Sequence, residues 1–83
     1  MSVIQDVRNL LAQTLQLGPR ADALTPDSPL LGAIPELDSM AVVGILTAME
    51  DYFGITVGDD EISAETFATL GTLVDFAEQK LGG

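Results

Sequence analysis

Between Ser2 and Leu17 the apolar positions Val3, Ile4, Val7, Leu10, Leu11 and Leu15 recur at steps of three and four, with Thr14 on the same face. That is the period of a helix with one buried stripe. Ser2 is a suitable cap, and Gln5 three residues on completes a capping-box pattern. Leu17-Gly18-Pro19 stops the helix, because Gly suits a left-handed cap and Pro cannot continue the ladder. A second helix is predicted from Asp38 to Phe53, capped by Asp38 with Ser39 at its first position. Val42, Ile45, Leu46, Met49 and Phe53 form its buried stripe, with Met40, Val43 and Tyr52 at the margins, and Gly54 ends it. Ile55, Thr56 and Val57 read as a short extended piece, and Ser63 to Phe67 as a turn or two of helix capped by Ser63. The last helix runs from about Thr69 or Gly71 to Leu81, with Thr69 as cap and Leu70, Leu73, Val74, Phe76, Ala77 and Leu81 facing inward.

The stretch from Gly18 to Leu37 has no period. It holds all 4 prolines of the chain, yet also Leu24, Leu30, Leu31, Ile34 and Leu37. A solvated linker has no use for so many large aliphatics, so this is a long loop laid over the core, and long ordered loops usually carry function. No segment alternates as a strand should. The expected fold is all-α: a small four-helix bundle of three main helices and one short one, with a long structured loop between the first and second helices. The 83 residues make a single domain, residues 1–83.

Charge narrows the function. Three Lys+Arg stand against 13 Asp+Glu, for a net charge of −10, with no His and no Cys. Three cations cannot build a face for nucleic acid. Without Cys there is neither a thiolate zinc site nor a disulfide, and without His a nucleophile lacks its usual base. The N-terminus lacks the basic start and apolar run of a signal peptide, and no apolar run is long enough to span a bilayer. A soluble, cytoplasmic, monomeric protein is expected.

Ser39 is then the residue to explain. It follows a cap aspartate, opens the most apolar helix, and ends a structured loop. Asp38 and Ser39 could be helix-start residues and nothing more. But the loop would present this helix start at the surface, and the chain offers no base to activate the hydroxyl. A serine so placed suits a group that another enzyme installs.

Leu37-Asp38-Ser39-Met40 resembles the Asp-Ser-Leu/Met core of acyl carrier proteins. Met49-Glu50-Asp51-Tyr52-Phe53-Gly54-Ile55 is similar to the family's hydrophobic-acidic stretch downstream, and Thr69-Leu70 with Val74-Asp75-Phe76 to its last helix. The resemblance covers the whole chain. It implies a non-catalytic carrier with a 4′-phosphopantetheine arm on Ser39, attached by a phosphopantetheinyl transferase. Acyl groups would ride as thioesters on the arm, with acyl-loading and acyl-transferring enzymes as partners. It casts Asp38 as helix cap and as the residue that presents the site to the transferase and Mg²⁺. A helix start is apt for the phosphodiester, since its free N–H groups and dipole favour an anion. The missing Cys accords with an imported thiol. An acyl pocket is expected between the second and third helices, with Ile45, Leu46, Met49, Phe53, Val57 and Phe67 as its walls and Val7, Ala64 and Leu70 as further candidates.

Two departures matter. Glu36, preceded by Pro35, stands where many relatives have Gly. Typical fatty-acid carriers bear acids two and five residues after the serine, and here those positions are Ala41 and Gly44. Docking is therefore expected to use Glu36, Met40, Ala41, Val43, Thr47 and Glu50, with a neutral apolar middle, and Gly44 as a place of close approach unless it packs on the protein itself. The run Pro35-Glu36-Leu37-Asp38-Ser39-Met40 resembles carriers associated with bacterial surface-protein sorting and polysaccharide gene clusters, a specialised pathway and not general fatty-acid synthesis. The alternatives are a peptidyl or aminoacyl carrier, an unmodified acidic interaction module, and a sulfur carrier of ubiquitin-like fold ending in Gly82-Gly83. Asp59, Asp60, Glu61 and Glu65 lack the spacing of a calcium loop, and a solvated acidic turn is expected, with no metal.

Overall fold

The computed structural model describes residues 2–35 and 37–82. Three α-helices carry it: α1 (Val3–Thr14), α2 (Ser39–Phe53) and α3 (Leu70–Gly82). Turns of 3₁₀ helix lie at Gly18–Ala23, Asp59–Glu61 and Ala64–Phe67. Among the described residues the one β feature is an isolated bridge between Pro29 and Thr69. The fold is all-α, and the short fourth helical element falls where the sequence predicts it.

Each helix buries one stripe in a common core. Val7, Leu10 and Leu11 come from α1, Ile45 and Met49 from α2, and Leu70, Leu73, Val74 and Ala77 from α3. Phe67 enters from the short turn, and Leu30 and Leu37 from the long loop. Each fully buried large side chain contributes about 1.5–3 kcal/mol, so the two loop leucines tie the loop down as firmly as a helix turn would.

Several expectations need correcting. The first helix ends at Thr14, not Leu17. Leu15 and Leu17 are both buried, and residues two apart cannot share a helix face. The chain unwinds to bury both: Gln16 takes a left-handed φ of 55°, and the Leu17 N–H closes back onto the Ala12 carbonyl at 3.0 Å. This is the Schellman closure, with Gln where Gly is usual. Only half of the predicted capping box forms. Ser2 Oγ accepts the Gln5 N–H at 3.3 Å, while the Gln5 amide reaches forward to Asn9. Leu31 and Leu81, expected inside, are 44% and 45% exposed. Leu81 lies a turn past Ala77, the last buried position of α3. The Ile55–Val57 segment pairs with no strand. Gly83, expected as part of a frayed end, lies outside the described residues.

The long loop is stitched to the start of α3. The Leu30 and Leu31 N–H groups donate to the Ala68 and Phe67 carbonyls at 3.0 and 2.9 Å. In return the Leu70 and Gly71 N–H groups donate to the Ser28 and Pro26 carbonyls at 2.9 and 2.8 Å. The open N–H groups of a helix start normally need a capping side chain. Here loop carbonyls take the first two, and Thr69 Oγ1 takes that of Thr72 at 3.1 Å, so Thr69 is the expected cap.

Two helix glycines behave oppositely. A Cβ on Gly71 would lie 2.8 Å from the Pro26 carbonyl oxygen, a backbone atom, whereas one on Gly44 would meet only the Thr14 methyl at 3.5 Å. Gly44 thus looks inward at α1, and its docking role as a place of close approach is withdrawn. Gly71→Ala is expected to lose about 1–3 kcal/mol through the clash, and Gly44→Ala to gain up to about 1 kcal/mol from helix propensity. Urea midpoints at constant m value check both signs.

Candidate functional site

The site is built at the mouth of α2. Leu37 is buried and fixes the entry of the chain, and Asp38 caps the helix. One Asp38 carboxylate oxygen accepts the Ala41 N–H at 2.8 Å, and the Asp38 carbonyl accepts that of Val42 at 3.0 Å. Ser39 is the first residue of the 15-residue helix. It is exposed, and its hydroxyl makes no hydrogen bond among the described residues. The N–H groups of Ser39 and Met40 are likewise uncommitted there, leaving donors and the positive end of the helix dipole beside the hydroxyl. A phosphodiester on Ser39 fits this geometry. The Asp38 carboxylate opposes it by charge, though its hydrogen bond to the Ala41 N–H spends part of that field on the helix.

The exposed face behind Ser39 is apolar. Met40 is 77% and Val43 58% exposed. Thr47 is exposed, but its hydroxyl donates to the Val43 carbonyl at 3.0 Å, which ties up its one donor. Ala41 is half-buried against the core. Glu50 is also half-buried, and its carboxylate accepts the Val57 N–H at 2.8 Å. That bond holds the segment after α2, a task the sequence does not advertise. Glu36 lies outside the described residues. At the far end of α2 the Tyr52 hydroxyl donates to Asp6 at 2.9 Å, and this bond is the main reason its pKa is raised.

Of the residues expected to house an acyl chain, Ile45, Met49 and Phe67 are buried in the core, while Leu46, Phe53 and Val57 are half-buried. They are packed, and they line neither of two cavities that open elsewhere. One, of about 350 Å³, is polar and runs between Glu61, Ser63, Glu65, Thr66 and the outer face of α3 at Thr72, Asp75, Phe76 and Gln79. The other, of about 180 Å³, is bounded by Leu17, Arg20, Leu24, Ala33, Ile34 and Pro35.

With this geometry in view, comparison with known proteins is decisive. Residues 5–77 match the family model described as a phosphopantetheine attachment site. An acyl carrier protein of Sulfurovum sp. is 35% identical, with 94% of this chain and 97% of that one covered. One of Campylobacter hominis is 32% identical over 94% and 92%. The chain belongs to the acyl carrier protein family. The solution structure of a holo acyl carrier protein from Nitrosomonas europaea agrees, with 57% identity, a TM-score of 0.93 and full coverage of both chains. The carrier is therefore not an enzyme, and its prosthetic group is a covalent phosphopantetheine whose thiol holds acyl groups as thioesters. Acyl-handling enzymes and a phosphopantetheinyl transferase are its partners as a family member. No helix of the described residues is long and apolar enough to cross a membrane.

The carrier's acidic turn has an internal partner. Lys80 Nζ lies 2.7 Å from Glu61 Oε2, and the Gly58 N–H donates to Glu61 Oε1 at 2.9 Å. Lys80 first, then the Gly58 N–H, holds the Glu61 carboxyl below its ordinary value. A depressed carboxyl pKa gives stability that is full above the unfolded pKa and is lost as pH falls through the folded one. In Lys80→Met the Glu61 pKa should rise toward that of a free carboxyl, as read by NMR titration. An unchanged value would show that the ion pair does not form in solution.

Proposed function

We propose that Ser39 is the residue that carries the arm, and that this carrier serves dedicated partners in a specialised pathway and not general fatty-acid synthesis. The observation that supports Ser39 most is its uncommitted, exposed hydroxyl at the first position of α2, beside open helix N–H groups. In loading, Ser39 Oγ bonds to phosphorus, the pyrophosphate bond of coenzyme A breaks, and adenosine bisphosphate leaves with the electron pair. The serine proton passes to a base of the transferase, since this chain supplies none. Asp38 keeps the helix start formed and presents a carboxylate near the Mg²⁺ that the transferase brings. The bound arm supplies a thiol for acyl transfer. The residues of this chain supply position, charge and cover.

The specialised role draws support from the face of α2. Met40, Val43 and Thr47 offer an apolar patch, with Ala41 at its edge and Glu50 beyond Thr47 along the helix; Glu36, three residues before Ser39 in the chain, is the further acid of the proposed docking set. Partners that meet such a patch gain little from long-range charge, because steering by acids needs acids on the docking face. Longer acyl chains reach the space between Ile45, Leu46, Met49, Phe53, Val57 and Phe67 only by parting a packed core. Met49 is the wall that adapts most easily.

The test is intact-mass spectrometry after incubation with coenzyme A, Mg²⁺ and a broad-specificity phosphopantetheinyl transferase. One arm should be added to the wild type and none to Ser39→Ala, whose helix content should be unchanged because the side chain is exposed and unbonded. A well-folded wild type that gains no arm, or a Ser39→Ala protein that does, removes the assignment. Run across ionic strength, the same assay addresses the docking face. Loading should fall by less than about threefold between low and high salt if apolar contact leads. A fall of tenfold or more, roughly, would mean that acids lead.

A further inference from the structure

We propose that Met40 is a redox-modification site, at which a peroxide turns the thioether into a sulfoxide and closes the mouth of α2 to partners until the sulfoxide is reduced. This rests on the assignment of the arm to Ser39 and of docking to the exposed face of α2, and it adds a control on that face. The chain has 3 Met and no Cys. Met1 lies outside the described residues. Of the other two, Met49 has no exposed surface, whereas Met40 is 77% exposed. Sulfur oxidation follows exposure, because the oxidant must reach the sulfur lone pair. The core thus shields one thioether and the helix start presents the other. Once the arm holds an acyl group, its own sulfur is a thioester. Met40 then offers the exposed sulfur that remains, among the described residues, for an oxidant to meet.

Position gives the modification its effect. Met40 is the second residue of α2, next to Ser39. Side chains of a helix lean toward its N-terminus, which puts the Met40 thioether on the Ser39 side of its own Cα. Val43, 58% exposed, lies three residues on and shares the face. A partner that covers this pair buries apolar surface. After oxidation it must also bury a strong hydrogen-bond acceptor, which costs free energy unless a donor meets it. The same oxygen competes for the open N–H groups of the helix start, which favour the phosphate of the arm. The chemistry balances with hydrogen peroxide as oxidant. The sulfur lone pair takes one peroxide oxygen, the O–O bond breaks, and the hydroxide that leaves gathers the proton of the transferred oxygen and departs as water. A thiol-dependent reductase reverses the change, turning two thiols into a disulfide and releasing the oxygen as water.

The test treats the full chain, before the arm is attached, with hydrogen peroxide under native conditions, maps the added oxygen by peptide mass, and then measures loading from coenzyme A by the transferase. Met40 should oxidise at least about tenfold faster than Met49. The initial loading rate should fall by about fivefold or more, with an unchanged far-UV circular dichroism spectrum, and a methionine sulfoxide reductase with dithiothreitol should restore it. Met40→Leu, compared only with itself before and after treatment, should keep its rate, which assigns the loss to Met40 and not to Met1 or Met49. Oxidation of Met49 as fast as Met40, full loading of the Met40 sulfoxide, a loss of helix on treatment, or an equal loss of rate in Met40→Leu overturns the inference while leaving Ser39 as the attachment point. An untreated wild type that takes no arm is a failure of the Ser39 assignment and takes this inference with it.

Discussion

Four backbone hydrogen bonds between Pro26–Leu31 and Phe67–Gly71 hold this small protein in its working shape. A long loop costs entropy to fix, and this one has no regular partner strand. It is fixed because α3 begins with open N–H groups that need acceptors, and the loop supplies them. Each side satisfies the other's backbone. Gly71 allows the approach, since any side chain there would meet the Pro26 carbonyl. Leu30 and Leu37 then bury what the loop would otherwise expose. The loop ends at Asp38, so the fixed loop becomes a fixed starting point for α2.

From that starting point the division of labour follows. Asp38 spends its carboxylate on the helix and leaves the Ser39 hydroxyl without internal duties. The chain contributes no catalytic base and no thiol. It contributes an alcohol held at a known place, an anion-favouring helix end beside it, and an exposed apolar face on α2. Acidic groups elsewhere repel one another, and one of them, Glu61, is tied back to Lys80 and the Gly58 N–H. A carrier that must visit several enzymes benefits from presenting one rigid landmark to all of them.

Much of this was legible in the residues. The period of three and four located all three helices, and Asp38 and Thr69 were readable as caps because short polar side chains bond back to helix N–H groups. What was missed depends on contacts distant in sequence. The early end of α1 comes from the need to bury Leu15 and Leu17 together, which periodicity cannot show when one of them fits the helix pattern. The Gly18–Ala23 turn hid among prolines and glycines that read as plain loop. Gly71 had one readable sign, a glycine just inside a helix where no turn requires it, but its partner Pro26 lies far back in the chain. The bond from the Val57 N–H to the Glu50 carboxylate was not readable, because nothing local reveals that this side chain reaches seven residues on. Gly44 was open to two readings, close approach by a partner or packing on the protein itself, because a sequence does not say which side of a helix faces α1; it faces Thr14.

Amide hydrogen exchange, followed residue by residue, reads the anchorage of the loop to α3. If the loop is a fixed mount for Ser39, the amides of Leu30, Leu31, Leu70 and Gly71 exchange together and with protection approaching that of Leu11 and Ile45 in the core. If those four exchange as fast as an unstructured chain while the helices stay protected, the loop is not anchored to α3, and the account of how the serine is presented is wrong.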